Sequence, residues 1–317
     1  MGAYETAVPE TELLATALPW VEWSDAYAVD CRPGMADDPR DWLATMLRRP
    51  PLWAVPVLGL RQVLALVCGI RPSRLPRRTA GRELLIAVDT GAFDCRVSLL
   101  REDGRVVLST VGTAHDMRGR VFLALAGRVH PFVVRAALTK TAAVLGRARP
   151  CAVRSTGLLA DALPRIDFAD AYAVPVGDGT PDDPMTWAEA VFHDPPPWAA
   201  ALLGLREALV GLVGIEGGRP GAFEAVGVDD HEVLVGSDAG HLDFRASVRR
   251  EPDHAVVTTV VQIHNLRGRL YFAVVRLVHP VIVRAMLTRA ATSLSRASDT
   301  PTRPSPGQTG VPAGCST

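Results

Sequence analysis

The sequence carries one motif twice, and that repetition limits the folds open to it more than any other feature. His264-Asn265-Leu266-Arg267-Gly268-Arg269 continues through Tyr271 and His279-Pro280 to Arg284. An earlier copy reads His115-Asp116-Met117-Arg118-Gly119-Arg120, then Phe122, His130-Pro131 and Arg135. The two stand at a constant offset of 149 residues, so the chain reads as two copies of one domain. A length of 317 residues suits two units, each able to bury its own core.

Upstream the offset is 145, and the order of elements repeats. Leu18-Pro19 and Leu163-Pro164 open the copies; Asp25–Val29 and Asp170–Val174 read as a first strand. Asp-Asp-Pro at 37–39 and 182–184 marks a helix start, and that helix carries Trp42 or Trp187. Proline-rich breaks follow at 50–51 and 195–197. Trp53 or Trp198 then opens an apolar helix running to Ile70 or Ile215. Arg61 and Arg206 near the middles of these stretches argue for core helices rather than membrane spans, since a charge at bilayer depth costs about 2.5–3.5 kcal/mol.

Residues 223–228 read as a strand, whereas the proline-containing 71–78 is a poor one. Three strands of an antiparallel meander come next: 83–89, 93–100 and 106–112, matched by 232–238, 242–249 and 255–262. Each copy ends in a long helix, 119–145 or 268–294, which Pro131 or Pro280 should kink or divide. In the second, Leu270, Val274, Leu277, Val281, Ala285 and Leu287 fall broadly on one stripe. The expected domains are 18–146 and 163–294, with a polar leader at 1–17, a linker at 146–156 and a disordered tail at 295–317.

Net charge is zero, which removes the broad attraction that non-specific nucleic-acid binding needs. Five cysteines without CxxC spacing support neither a disulfide framework nor a zinc site, and the N-terminus lacks an apolar signal run. A cytoplasmic location is the expectation. No phosphate-cradling, dinucleotide or nucleophile-elbow motif occurs, so no cofactor is expected.

Strand, two helices, antiparallel strands and a long terminal helix is the helix-grip order: an α+β fold in which a curved antiparallel sheet closes around a long C-terminal helix. Copy two resembles a family of uncharacterised domains within the START-like helix-grip (SRPBCC) superfamily. The residues that carry the resemblance are His241-Leu242-Asp243-Phe244-Arg245, Thr258-Thr259, His264-Asn265, Gly268-Arg269-Leu270-Tyr271 and His279-Pro280 through Arg284-Ala285-Met286-Leu287. It covers most of 163–294. Copy one departs from it: Ala92 stands for His241, Asp116 for Asn265 and Phe122 for Tyr271. The resemblance implies two tandem helix-grip domains, packed as a pseudo-dimer or paired in a homodimer, with a cavity between sheet and helix.

Each candidate site residue admits two readings. His115 and His264, ending the last strand, are either acid–base groups at the cavity mouth or hydrogen-bonding residues of the turn. Arg120 and Arg269 either hold a ligand carboxylate or phosphate, or pair with Asp94 or Asp243. His130 and His279 either meet a ligand or satisfy a carbonyl freed by the following proline; a metal site finds no helical i, i+4 partner. His241, Asp243 and Arg245 share one strand face, inward as a catalytic row or outward as a polar surface, the simplest pattern being outward. Tyr172, Trp187 and Trp198 are aromatic walls for a flat ligand or plain core.

These combine into binding of a hydrophobic small molecule in an internal cavity, with copy two as the working copy. His264, Asp243, His241, Arg269 and Tyr271 are its candidate catalytic residues; Tyr172, Trp187, Trp198, His279 and Arg245 line the ligand. By analogy of architecture with two-domain polyketide aromatase/cyclases, the expected activity is a cofactor-free cyclase. The rival is a non-catalytic carrier or self-resistance protein. No nucleic acid, membrane or metal partner is expected.

Overall fold

A computed structural model describes residues 2–56, 59, 77–155, 157–177, 179–201 and 223–298. The apolar stretches 57–70 and 202–215 therefore lie outside the described residues, with the exception of Gly59, as does the tail beyond Ser298.

The chain forms two six-stranded antiparallel sheets, each followed by a long helix, an α+β architecture compatible with a two-domain helix-grip arrangement. The first sheet contains β1 (Tyr4–Glu5), β2 (Trp23–Asp30), β3 (Arg77–Ala80), β4 (Glu83–Asp89), β5 (Phe93–Glu102) and β6 (Arg105–Ala114), in the order β1-β2-β6-β5-β4-β3. The second repeats it with β7 (Arg149–Pro150), β8 (Phe168–Pro175), β9 (Ala225–Val228), β10 (Glu232–Asp238), β11 (Leu242–Arg250) and β12 (His254–Ile263), ordered β7-β8-β12-β11-β10-β9. The helices are α1 (Glu12–Ala15), α2 (Pro39–Arg48), α3 (Met117–Leu145), α4 (Pro184–Phe192) and α5 (Leu266–Ser298).

Two expectations need correction. The leader at 1–17 is folded: β1 joins the first sheet, and α1 buries Leu13 and Leu14. The linker contributes a strand, β7, to the edge of the second sheet. Of the poor strand of copy one, 71–76 lies outside the described residues, and β3 begins at Arg77. Each edge strand is held to its long helix by the same two bonds. Thr139 Oγ1 accepts from Ala3 N–H and Arg135 Nε donates to the Ala3 carbonyl, both at 3.0 Å. Thr288 and Arg284 repeat this on Ala148 at 3.0 Å. The motif arginine is a clamp.

The repeated motif is a helix start. Asp116 and Asn265 accept the N–H of Gly119 and Gly268 at 2.9 and 3.0 Å, covering one orphan donor of the first turn. The Asp/Asn difference therefore changes one good N-cap for another. Glycine is required three residues on: a Cβ at Gly119 would fall 2.0 Å from the Ala92 carbonyl oxygen, and at Gly268 2.1 Å from that of His241.

Helices α3 and α5 run through Pro131 and Pro280 undivided. The α5 stripe divides between two environments. Leu287 is fully buried, but Leu270, Val274, Leu277 and Val281 are 57–72% exposed; the sheet instead takes Phe272, Val283, Met286, Ala290 and Ala291. By length and composition α3 and α5 are apolar enough to cross a bilayer, a test that the core helix of a soluble protein also passes. Trp42 and Trp187 are fully buried, each donating its indole N–H to a carbonyl at 2.8 Å, of Ala36 and Pro181. The two units touch where Gly34, at φ +74°, leaves 2.5 Å between its absent Cβ and the Asp253 carbonyl oxygen.

Candidate functional site

Strand register decides which side chains face the long helix. In the second sheet Tyr172, Val257, Val248 and Val233 form one helix-facing row, and Asp170, Thr259, Ala246 and Val235 the next. A third row holds Phe168, Val261 and Phe244. The first sheet repeats the design with Trp23, Asp25 and Tyr27 on β2 and Thr110 on β6. Each sheet thus carries one aspartate, beside a threonine, on a largely apolar inner face.

The helix answers each with a histidine. His279 Nε2 lies 3.3 Å from Asp170 Oδ1, and Tyr172 Oη donates to Asp170 Oδ2 at 3.0 Å. In the first unit His130 Nε2 lies 3.1 Å from Thr110 Oγ1 and 3.5 Å from Asp25 Oδ1. An aromatic ring meets each imidazole edge-on, Phe168 with His279 and Trp23 with His130. The histidines do not cap freed carbonyls; they reach across to the sheet.

Electrostatics sharpen the picture. Burial, with the charge of the neighbouring aspartate, pushes the Tyr27 and Tyr172 phenols up to about 12, so both remain donors at neutral pH. Asp25 is nine-tenths buried, yet neither of its oxygens has a hydrogen-bond partner among the described residues. The nearest donors to it are His130, 3.5 Å from Oδ1, and the Tyr27 phenol.

A second pairing sits where β11 and β12 meet the start of α5. His264 Nε2 is 2.9 Å from Asp243 Oδ2, and His115 Nε2 is 3.2 Å from Asp94 Oδ2. His264 N–H also bonds the His241 carbonyl at 3.1 Å, and the His241 ring meets Tyr271 edge-on with centroids 5.3 Å apart. Copy one fills this corner with Ala92, Phe93 and Phe122 instead.

The sequence-predicted residues therefore separate. His264 and Asp243 come together, as do His241 and Tyr271. Tyr172 and His279 come together through Asp170, which sequence reasoning passed over, with Asp25, Thr110 and Thr259. Their signal was the repeated Asp-x-Tyr, a carboxylate sharing a face with a core tyrosine. Arg269 is exposed and does not pair with Asp243, whose partner is His264. Arg245 lies on the sheet face away from α5 and pairs with Asp238 at 2.6 Å. Trp187 belongs to the core and Trp198 is 45% exposed.

Comparison with known proteins adds little beyond the second unit. The family model described as "Protein of unknown function (DUF2867)" matches residues 162–286. No curated protein matches the chain. Among solved structures, the di-domain ARO/CYC BexL from the BE-7585A biosynthetic pathway aligns at 11% identity and a TM-score of 0.23, covering 89% of this chain and 100% of that one. DynU16, a putative protein in the dynemicin biosynthetic locus, aligns at 14% identity and a TM-score of 0.19, covering 87% and 98%.

Proposed function

We propose that the second unit binds a small, largely apolar molecule between its sheet and α5, and acts on a carbonyl-bearing part of it by cofactor-free acid–base chemistry. The observation that carries this reading is the Asp170–His279 pair on an apolar inner face, repeated as Asp25–His130. A neutral His279 that donates from Nε2 to Asp170 keeps a lone pair on Nδ1, and the carboxylate stabilises the imidazolium formed when Nδ1 takes a proton. The apolar walls supply the water exclusion and the fixed geometry that an intramolecular condensation needs. A polyketide-type chain, with acidic methylenes between carbonyls, suits such a pair; cyclisation is the reaction class. His264–Asp243, with His241 and Tyr271, forms a second polar corner in the same unit.

A non-catalytic carrier is the rival, favoured by the Tyr172–Asp170 bond, which locks both groups in place. The test is incubation with extract of the producing organism, followed by mass spectrometry of the released small molecules. An enzyme yields a new mass that the Asp170→Asn variant does not form. A carrier returns the same mass it took up. Neither uptake nor conversion by the wild type would reject both.

A further inference from the structure

Outside these interiors, one cleft in the first unit has only cations as its charged lining groups. It lies between the end of α2 and the last turns of α3, has a volume of about 360 Å³, and is lined by Arg48, Arg49, Lys140 and Arg147 with Pro50 and Leu52. Lys140 is the only lysine of the chain. Its Nζ donates to the Pro50 carbonyl at 2.8 Å, which fixes the ammonium in the cleft with two further donors that have no partner among the described residues. Among the described residues no carboxylate pairs with any of the four cations.

Helix ends do not account for this charge. The C-termini of α2 and α3 both point here, and each carries about −0.5 of an elementary charge, so four cations leave an excess of about +3. The second unit provides the control. Its residue equivalent to Lys140 is Arg289, and the residue equivalent to Arg49 is Asp194. There the guanidinium and carboxylate close on each other in a two-pronged pair at 2.9 and 3.0 Å. One copy neutralises the position; the other concentrates charge on it.

The cleft continues into a second, of about 510 Å³, which shares Lys140 and Ala143 and is lined by Pro51, Trp53, Ala136 and Arg135, whose Nε is engaged by the Ala3 carbonyl. The Trp53 indole is 49% exposed there. Basic groups at one end and an open aromatic at the other match a molecule with an anionic head and a flat body. Arginine forks suit phosphate oxygens, and an indole face suits a planar ring.

We propose that this groove is a binding site for an organic polyphosphate, its phosphates held by Arg48, Arg49, Lys140 and Arg147 and its planar end laid on Trp53. It is separate from the His–Asp interiors and stands or falls independently of them.

Isothermal titration calorimetry on the full chain at low ionic strength tests it, with ATP and inorganic triphosphate as probes. Wild type is expected to bind both, ATP more tightly. Arg49→Asp, which builds the neutralising pair of the second unit, weakens both at least tenfold. Arg48→Glu, at an exposed helix end, repeats that loss in a second background. Trp53→Ala brings ATP down to the level of triphosphate and leaves triphosphate unchanged. Absence of binding to wild type, or equal binding by wild type and both charge variants, would overturn the proposal.

Discussion

His279 Nε2 stands 3.3 Å from Asp170 Oδ1 across the gap between helix and sheet, and His130 Nε2 stands 3.5 Å from Asp25 Oδ1 at the matching place. The two units keep the same groups but hold them differently. Tyr172 bonds Asp170 in the second, whereas in the first His130 stands nearer Thr110, at 3.1 Å, than Asp25. A pair of this kind on a buried face is costly to keep without a partner or a task.

The tyrosines report on that arrangement. Burial pushes both phenols up to about 12, helped next by the Asp25 charge at Tyr27 and by the hydrogen bond to Asp170 at Tyr172. Their folded pKa lies above the unfolded value of about 10. The contribution to stability is therefore whole below pH ~10 and is lost as pH rises toward about 12. Asp170→Asn is expected to lower the Tyr172 pKa and leave Tyr27 unchanged, read by ultraviolet absorbance against pH. Equal titration of both phenols in the variant would contradict the Asp170 contact.

The two faces of α5 predict opposite mutational costs. Leu287 is fully buried, so Leu287→Ala should cost about 2–5 kcal/mol. Leu277 is 72% exposed, so Leu277→Ala should stay within about 0.5 kcal/mol. Urea denaturation of the two variants checks this. Similar costs would mean that the helix packs on a different face.

At the helix start, Asn265→Asp should keep the cap, as Asp116 does in the first unit, and cost about 0.5 kcal/mol through the lost Nδ2 bond to the Gly240 carbonyl. Asn265→Ala should cost about 1 kcal/mol through the lost cap. Gly268→Ala should cost more, since its Cβ meets backbone 2.1 Å away and one of the two must move. Thermal unfolding of the three orders them directly.

How much of this was legible beforehand depends on the kind of signal. The repeat, the meander and the long helices were readable, because strand alternation and Asp-Pro helix starts are local. The edge strands β1 and β7 were not: two residues each, they are fixed by Arg135 and Arg284 from far along the chain. The α5 stripe misled because the helix is apolar around much of its circumference, so periodicity could not choose the face. The site split for a related reason. His264 and Asp243 are 21 residues apart and join across one hairpin, but His279 and Asp170 are 109 apart and meet only when the helix closes on the sheet. Asp170 hid inside a strand-like run where only register reveals which way a carboxylate faces.

The central claim is that a small molecule sits against the Asp170–His279 pair. Native mass spectrometry after exposure to extract of the producing organism tests it most directly, comparing wild type with His279→Ala and His264→Ala. The account predicts a retained mass in wild type that His279→Ala loses and His264→Ala keeps. Retention by His279→Ala at the wild-type level, or no retained mass in any of the three, would contradict it.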